Sequence, residues 1–294
     1  MPFVVSRLSS LTADLGEGPQ WDEESQSLWM MDCRKGEIYQ IDKSGEAQLR
    51  YRGNPPCGSY SLLREGGILI AEKDDLVTIT PTGERKIVAS LPQSHPNVRF
   101  NDGACLADGS FVVGTMHLHR AAGEAPLGGI YRLTAEGDFK KLAPGLGVAN
   151  GPCISPLDGR FYICDSTAKE IYSYAFDKDG NLTDRELFAS TEALNSSPDG
   201  CAFDAQGGLW TALVHGGAIL RYAPDGSVSE HIPLPLSHPT AVSFGGPNMD
   251  DLFVTSISDS GRLKAEGPMD GAILRLSGLG YRGFARPRFS LKGQ

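Results

Sequence analysis

Four short segments of the sequence share a pattern that is suited to binding a metal ion. Each has an oxygen-bearing side chain, then glycine, then a small residue, then an apolar run, and the segments begin at Glu17, Asp102, Asn150 and Asp199. Carboxylate and amide oxygens are the ligands that hard divalent cations prefer. The repetition predicts a column of oxygen ligands, although any one of these residues could also be an ordinary turn former.

The same pattern divides the chain into six units. The units open at positions 18, 58, 103, 151, 200 and 240, so that neighbouring units start 40–49 residues apart. Glycine stands at every one of these positions except the last, which is Thr240. A repeat of this length is typical of the blades of a β-propeller.

Within each unit, short β-rich runs are separated by turn signals. The fourth unit, for example, has runs at 160–165 and 169–174, followed by the turn at Asp179-Gly180. The chain contains 36 Gly and 19 Pro, and no stretch keeps a helical apolar period over three turns. We therefore predict an all-β fold, a single six-bladed β-propeller domain spanning residues 1–294. A lone strand predicted at 3–8 is expected to complete the last blade and cover its open edge.

In a propeller, the first strand of every blade lines the central channel, so equivalent residues of these strands converge on the axis. Glu17, Asn150 and Asp199 are then placed to bind one divalent cation, and Asp102 beside Asn101 occupies the same column in the third blade. Two carboxylates would neutralise the ion, and the amide would add a ligand without charge. Such a channel metal site leaves positions open for water and substrate.

Loops that follow the second strand of each blade are expected to reach the same face of the ring. They carry Arg34, His117 and His119, while Arg99 directly precedes the third-blade pattern. The two histidines have the spacing at which side chains face one way on an extended chain, so a second metal site is an alternative to substrate contact. The longest insertion between strands is expected at 120–129.

Composition excludes several classes of partner. The formal net charge is −9 with no basic stripe, which argues against nucleic acid and anionic membranes. No apolar stretch is long enough for a transmembrane helix, and the first residues lack the features of a signal peptide. The six cysteines form no Cys-x-x-Cys pair, so they are expected to be free thiols, and we predict a cytoplasmic location.

Six segments, in a characteristic order, carry a resemblance to a known family. They lie at 15–21 (LGEGPQW), 99–103 (RFNDG), 114–116 (GTM), 150–151 (NG), 197–200 (SPDG) and 286–289 (RPRF). Through them nearly the whole chain resembles the SMP-30/gluconolactonase/luciferin-regenerating-enzyme family, also called the regucalcin-like family. The resemblance implies a six-bladed propeller with one divalent metal ion (calcium, zinc, magnesium, manganese or ferrous iron).

The resemblance also implies roles for particular residues. The family's metal ligands fall on Glu17, Asn150 and Asp199, and its substrate-contacting residues fall on Arg99 and Asn101. Many members hydrolyse sugar lactones, so we expect a metal-dependent lactonase that opens an aldonolactone ring to the aldonic acid. A carboxylate that contacts both metal and water is well placed for proton transfer, which makes Asp199 the candidate catalytic base.

One departure from the family affects the expected substrate. Several relatives have a carboxylate shortly after the GTM segment, where this chain has His119. With Arg99 and Arg34 nearby, the change predicts a more cationic pocket in which Arg34 and His119 also contact the substrate. We therefore expect tolerance for a lactone that bears an acidic group, either a carboxylate or a sulfonate.

Two other functions are compatible with the same residues. One is hydrolysis of another ester or of a phosphotriester at the same metal site. The other is a non-catalytic calcium-binding propeller, which would bind metal without turning over any lactone. The expected partner is a small-molecule sugar lactone, and the protein is expected to be a monomer or a small homo-oligomer.

Overall fold

Six four-stranded antiparallel sheets make up the protein. The computed structural model describes residues 3–292, and in each sheet the strands follow one another from the inside to the outside of the molecule. The six innermost strands contact their neighbours and close into a ring. This arrangement is a six-bladed β-propeller and confirms the predicted all-β fold.

The chain enters with β1 (Val4–Arg7) and then builds the first three blades in sequence order. Blade 1 contains β2 (Gly16–Asp22), β3 (Ser27–Asp32), β4 (Glu37–Ile41) and β5 (Ala47–Arg52). Blade 2 contains β6 (Ser59–Leu62), β7 (Ile68–Ala71), β8 (Asp75–Ile79) and β9 (Arg85–Ser90). Blade 3 contains β10 (Val98–Cys105), β11 (Phe111–His117), β12 (Gly128–Leu133) and β13 (Phe139–Leu146).

The remaining three blades complete the ring. Blade 4 contains β14 (Ala149–Ile154), β15 (Phe161–Asp165), β16 (Glu170–Phe176) and β17 (Leu182–Ser190). Blade 5 contains β18 (Pro198–Phe203), β19 (Leu209–Leu213), β20 (Ala218–Tyr222) and β21 (Val228–Pro233). Blade 6 contains β22 (Pro239–Gly245), β23 (Asp251–Ser256) and β24 (Leu274–Ser277), and its fourth strand is β1.

Blade 6 therefore contains strands from both ends of the chain. Strand β1 pairs antiparallel with β24, so that Val4 lies opposite Ser277 and Arg7 lies opposite Leu274. Without β1, the outer edge of β24 would present unpaired backbone groups to solvent. The pairing also joins the first and last described strands, which holds the ring closed.

The hydrophobic core is divided into six clusters, one between each pair of neighbouring blades. Between blades 1 and 2, for example, Trp29 and Ile38 pack against Ile70 and Val77. Fully burying one such side chain contributes about 1.5–3 kcal/mol. Because every blade shares its apolar faces with two neighbours, removing any blade would expose two clusters.

Two further features concern the connections. Within the described residues the single helix is a short 3-10 turn at Glu192–Leu194, and no helix is long and apolar enough to cross a membrane. The expectation of a longest insertion at 120–129 is wrong. Residues 118–127 connect β11 to β12, whereas the longer segment 257–273 connects β23 to β24.

Candidate active site

A β-bulge lies at the predicted ligand column in five of the six innermost strands. Strand pairing shifts register between Glu17 and Gln20, Phe100 and Gly103, Asn150 and Cys153, Pro198 and Cys201, and Pro239 and Val242. A bulge adds a residue to one strand and re-aims the neighbouring side chains. The repeated bulge is therefore the local structure that turns the column's side chains toward the channel.

Glycine at the bulge allows two innermost strands to approach closely. Gly151 has φ +61°, and a Cβ added there would lie 2.8 Å from the carbonyl oxygen of Asp199. A larger residue would be strained by that backbone conformation and would push the strands apart. The glycine therefore keeps Asn150 of blade 4 beside Asp199 of blade 5.

A cavity of about 480 Å³ opens above these bulges, which is within the usual range for small-molecule sites. Of the predicted site residues, it is lined by Glu17, Arg34, Arg99, Asn101, Asn150 and Asp199. The structure thus brings together six of the seven residues to which the sequence analysis assigned a role as metal ligand or substrate contact. The remaining residue, His119, is exposed and is not part of the lining.

A chain of hydrogen bonds fixes the two asparagines at the base of the cavity. The Asn101 amide donates to Asn150 Oδ1 and, at 3.0 Å, to the carbonyl oxygen of Ala149. Asn150 Nδ2 donates to Ser166 Oγ at 2.9 Å, and Ser166 in turn donates to the Pro198 carbonyl at 2.7 Å. These bonds orient the Asn150 amide so that its oxygen faces Asn101 and its nitrogen faces Ser166. The oxygen is the atom of an amide that binds metal ions.

Glu17 and Asp199 form no salt bridge within residues 3–292, and the charge of Arg99 offsets only part of the effect of burial on Glu17. Burial raises the pKa of Glu17 well above its usual range, and the nearby Asp102 charge acts in the same direction. Burial likewise raises the pKa of Asp199, followed by the effect of Glu17. Within residues 3–292, Asp199 Oδ1 is buried and has no hydrogen-bond partner. A half-buried and a buried carboxyl whose charges interact, one with an unsatisfied oxygen, are the arrangement that a divalent cation would stabilise.

The donor set fits a hard cation rather than a soft one. In the described part of the chain, no group of three or more histidine, cysteine or carboxylate side chains is suited to hold a metal ion. The candidate set instead combines the carboxylates of Glu17 and Asp199 with the amide oxygen of Asn150. Oxygen-only ligands of this type are typical of calcium, magnesium and manganese sites.

Asp102 differs from the other members of the column. Its two carboxylate oxygens accept hydrogen bonds from the backbone N–H groups of Gly103 and Gly151, both at 2.8 Å. It does not line the cavity, whereas its neighbour Asn101 does. Asp102 therefore links blade 3 to the residue that follows Asn150, and the side chain that β10 places against Asn150 in the cavity is the amide of Asn101.

Two thiols line the cavity but are not placed to act as nucleophiles. Burial raises the pKa of Cys57 to about 12 and the pKa of Cys33 well above its usual range. Since the thiolate is the reactive form of cysteine, both groups remain unreactive at neutral pH. All six cysteines of the chain are free.

The arginines of the cavity have different surroundings. Arg99 is half-buried in the cavity wall and donates to the carbonyl oxygen of Phe100 at 2.7 Å and to Asn101 Oδ1 at 3.1 Å. Burial lowers the pKa of Arg99. Arg34 is partly exposed and pairs with Asp259 at 2.8 Å, so its charge is already compensated.

The two histidines of blade 3 do not form a common site. His117 is buried, and neither ring nitrogen has a hydrogen-bond partner among residues 3–292. The nearest acid is Glu124, with 3.8 Å between His117 Nε2 and its carboxylate. His119 is exposed after the end of β11, where the chain leaves the extended conformation. The alternating geometry that would align the two rings is therefore lost.

One cavity residue was missed by the sequence reasoning. Arg262 lies in the segment 257–273 between β23 and β24, and its side chain lines the cavity. The available signal was the length of this segment, because a long connection on the channel face can reach over the opening.

Comparison with known proteins places the chain in a family. A pentonolactonase of Haloferax volcanii is 29% identical over 93% of this chain and 94% of that protein. A 6-deoxy-6-sulfogluconolactonase of Pseudomonas putida is 30% identical over 94% of this chain and 95% of that protein. Among solved structures, a calcium-binding protein, regucalcin, from Agrobacterium tumefaciens has a TM-score of 0.87 at 28% identity, covering 99% of this chain and 98% of that one. Residues 15–258 match the SMP-30/Gluconolactonase/LRE-like region, and the chain belongs to this family.

Proposed function

We propose that this protein is a metal-dependent lactonase that opens the ring of a sugar lactone to give the aldonic acid. The observation that carries the proposal is the pair of carboxyls with raised pKa, half-buried Glu17 and buried Asp199, beside Asn150 in a cavity large enough for a sugar ring. Two relatives of similar length are named as lactonases. Both are related to this chain across its length, so their named activities are relevant to it.

Glu17, Asn150 and Asp199 would hold one divalent cation, which could be calcium, zinc, magnesium, manganese or ferrous iron. When bound, such an ion supplies Lewis-acid polarisation of the lactone carbonyl and stabilises the negative charge that develops on its oxygen. The oxygen of Asp199 that has no hydrogen-bond partner within residues 3–292 and the raised pKa of both carboxyls support this assignment.

The residues of the chain perform the remaining steps. The Asp199 carboxylate accepts a proton from the attacking water as the water oxygen bonds to the lactone carbonyl carbon. The bond between that carbon and the ring oxygen then breaks, and the proton passes to the ring oxygen, which becomes a hydroxyl. Arg99 and Asn101 orient the hydroxyl groups of the substrate from the cavity wall. The acid product ionises and releases a proton to solvent.

The cavity also favours a substrate with an acidic substituent, a carboxylate or a sulfonate. Arg99 and Arg34 both line it, Arg34 as a donor already paired with Asp259, and a bound cation would neutralise the two carboxylates of the site. The relative from Pseudomonas putida is named for a sulfonated lactone. His119 takes no part in this proposal, because its exposed side chain lies outside the cavity lining.

A panel of lactones tests the proposal against the two alternatives. The chelated protein is reloaded with each of the five cations in turn, and proton release is followed with a pH indicator after subtraction of spontaneous hydrolysis. Aryl esters and phosphotriesters are assayed in parallel. Faster turnover of these compounds than of any lactone would favour the other hydrolase, and cation binding without turnover would favour the non-catalytic calcium-binding propeller.

The role of Asp199 gives the sharpest single test. Asp199→Asn keeps the size of the side chain but cannot accept the proton, so we expect less than a few percent of wild-type kcat, and the same for Asp199→Ala. Asp225→Asn, in an exposed turn of blade 5, is the matched control and should retain full activity. Retention of more than a few percent by a metal-loaded Asp199→Asn variant would exclude Asp199 as the base.

Location and assembly form the last part of the proposal. The six free cysteines, five of them buried, are compatible with a reducing compartment, which supports the cytoplasm. The partner is a small-molecule lactone, without nucleic acid or membrane, and the state in solution is a monomer or a small homo-oligomer. Fractionation of cells and light scattering of the purified protein test these two points.

A further inference from the structure

Arg262 reaches across the mouth of the cavity from the opposite side of the ring. It belongs to the segment 257–273 of blade 6, and its guanidinium donates a hydrogen bond to the carbonyl oxygen of Leu118 in blade 3. These two blades face each other across a six-membered ring. Both Arg262 and Leu118 line the cavity. Arg262 is thus the residue that joins the two walls above the site.

The backbone around Arg262 is held in a defined turn. Ser260 Oγ accepts hydrogen bonds from the backbone N–H groups of Arg262 at 3.3 Å and Leu263 at 2.9 Å. The Ser260 N–H donates to the Leu263 carbonyl at 2.9 Å, and Ala265 N–H donates to the Ser258 carbonyl at 2.9 Å. Arg262 is therefore presented to the cavity by a hydrogen-bonded turn.

Two guanidinium groups of the cavity, those of Arg99 and Arg262, form no salt bridge within residues 3–292, and the nearby charge that favours the protonated Arg99 comes from the proposed metal ligand Glu17. Arg34 is paired with Asp259, whereas Arg99 and Arg262 donate only to neutral oxygens among residues 3–292. The charge of Arg262 acts with burial to lower the pKa of Arg99, so the two cations repel each other across the cavity. A divalent ion bound by Glu17 and Asp199 would balance the negative charge of these carboxylates. The positive charges of Arg99 and Arg262 would then have no negative charge to balance them.

We propose that Arg262, together with Arg99, forms a subsite for the acidic substituent of the substrate and determines the preference for an anionic lactone over a neutral one. This inference rests on the lactonase function proposed above. A guanidinium binds a carboxylate or sulfonate through two parallel charge-assisted hydrogen bonds and stays charged at any working pH. A neutral sugar lactone offers only hydroxyl groups, which cannot relieve the repulsion between the two arginines.

The test compares the neutral D-glucono-1,5-lactone with analogues that carry a sulfonate or a carboxylate at C6. In Arg262→Met, kcat/KM for the acidic lactones should fall roughly ten- to a hundred-fold, the usual effect of losing a hydrogen bond between charged groups. The value for the neutral lactone should stay within about twofold. Arg262→Lys keeps the charge but loses the bidentate geometry, so its loss should be intermediate.

A neighbouring lysine supplies the matched control. Lys264→Met removes the same charge from the same segment, but Lys264 pairs with Glu266 and does not line the cavity. Its ratio of acidic to neutral kcat/KM should equal that of the wild type. The proposal would be overturned if Arg262→Met lowered kcat/KM equally for both kinds of lactone, or if it changed neither value.

A binding measurement separates this proposal from the lactonase function. Calorimetry with the sulfonated aldonic acid, compared with gluconic acid, should show tighter binding of the sulfonated compound to the wild type and a loss of that difference in Arg262→Met. If neither lactone is turned over, the lactonase function fails while the binding data still decide the subsite. If lactones are turned over but Arg262→Met leaves the binding difference unchanged, the subsite alone is wrong.

Discussion

Asp102 shows how a carboxylate of the column can support the site without entering it. Its two oxygens are fully used by the N–H groups of Gly103 and Gly151. The second of these bonds crosses from blade 3 to blade 4 at the residue directly after Asn150. A change at Asp102 is therefore transmitted to the position of Asn150.

We expect Asp102→Asn to lower both stability and activity. The amide has one oxygen, so one of the two backbone N–H groups would face an NH₂ group inside the protein and lose its acceptor. An unsatisfied buried group costs about 1–3 kcal/mol, measured here as the free energy of unfolding in urea. The value of kcat/KM should fall as well, because Asn150 is no longer held in place.

Asp138→Asn, at an exposed position of the same blade, is the control and should leave both quantities unchanged. An Asp102→Asn variant with wild-type stability would show that the two hydrogen bonds to Gly103 and Gly151 contribute nothing net. Wild-type activity together with lower stability would show that the position of Asn150 does not depend on them.

At the residue scale, the sequence placed the proposed metal ligands in the cavity more completely than the proposed substrate contacts. Glu17, Asn150 and Asp199 could be found because a repeat fixes their phase, and equivalent strands must converge on one axis. The bulge in β10 brings Asn101 rather than Asp102 into the cavity, and no local pattern distinguishes these neighbours. Arg262 could not be predicted at all, because its placement depends on how a long non-repeated segment folds over the ring.

At the scale of a single element, the hairpin between β18 and β19 is held by one buried carboxylate. Asp204 Oδ1 accepts from the N–H groups of Gln206 and Gly208, both at 2.9 Å. Asp204 Oδ2 accepts from Trp210 Nε1 at 2.8 Å and from Arg221 Nε at 2.7 Å. Asp204 and Arg221 are both buried, so this ion pair has little access to water.

We expect Asp204→Asn to destabilise blade 5 strongly. The amide cannot balance the buried charge of Arg221, and removing one partner of a buried ion pair costs about 3–5 kcal/mol. Chemical denaturation measures the loss. Asp225→Asn, in the exposed turn between β20 and β21, provides the control and should change stability by less than about 0.5 kcal/mol. A loss below about 1 kcal/mol for Asp204→Asn would contradict the importance of the pair.

The sequence predicted the short strands and turns of each blade but not the irregularities in how the strands pair. The turn signals and the repeat were sufficient to predict six units of short strands and the ring that they form. The five bulges were not predicted, because a bulge depends on how two strands pair and leaves only a glycine as its local trace. The bulges orient the side chains of the proposed metal ligands toward the cavity. Sequence reasoning therefore predicted residues that line the cavity without explaining how they are oriented.

At the scale of the whole molecule, the ring concentrates acidic groups at its axis. Burial raises the pKa of Glu17, Asp199 and Asp102; the charge of Asp102 also raises the pKa of Glu17, and the charges of Glu17 and Asp102 raise the pKa of Asp199. They come from blades 1, 5 and 3, so no single blade contains the cluster. The cation that we propose would therefore link the blades, and its removal should affect the stability of the entire ring.

The pH dependence of the chelated protein follows from the direction of these shifts. A carboxyl whose pKa is raised by folding contributes stability that is fully present below its unfolded pKa, about 4. That contribution is lost as pH rises through the higher pKa of the folded state, because the folded chain must then bury a charge. In the chelated protein, Glu17 and Asp199 should therefore become increasingly destabilising from about pH 4 upward.

Glu17→Gln isolates this effect from the other titrating groups. Its neutral amide never carries the buried charge, so the chelated variant should gain stability relative to the chelated wild type as pH rises from 5 to 8. Adding the cation should reverse the order, because it stabilises the ionised wild-type site and finds a weakened site in the variant. Thermal melts with and without cation at both pH values measure the two differences. The opposite result is that the chelated Glu17→Gln variant loses stability relative to the chelated wild type as pH rises. It would mean that the protein stabilises ionised Glu17 without a cation, and the case for a metal at this position would be lost.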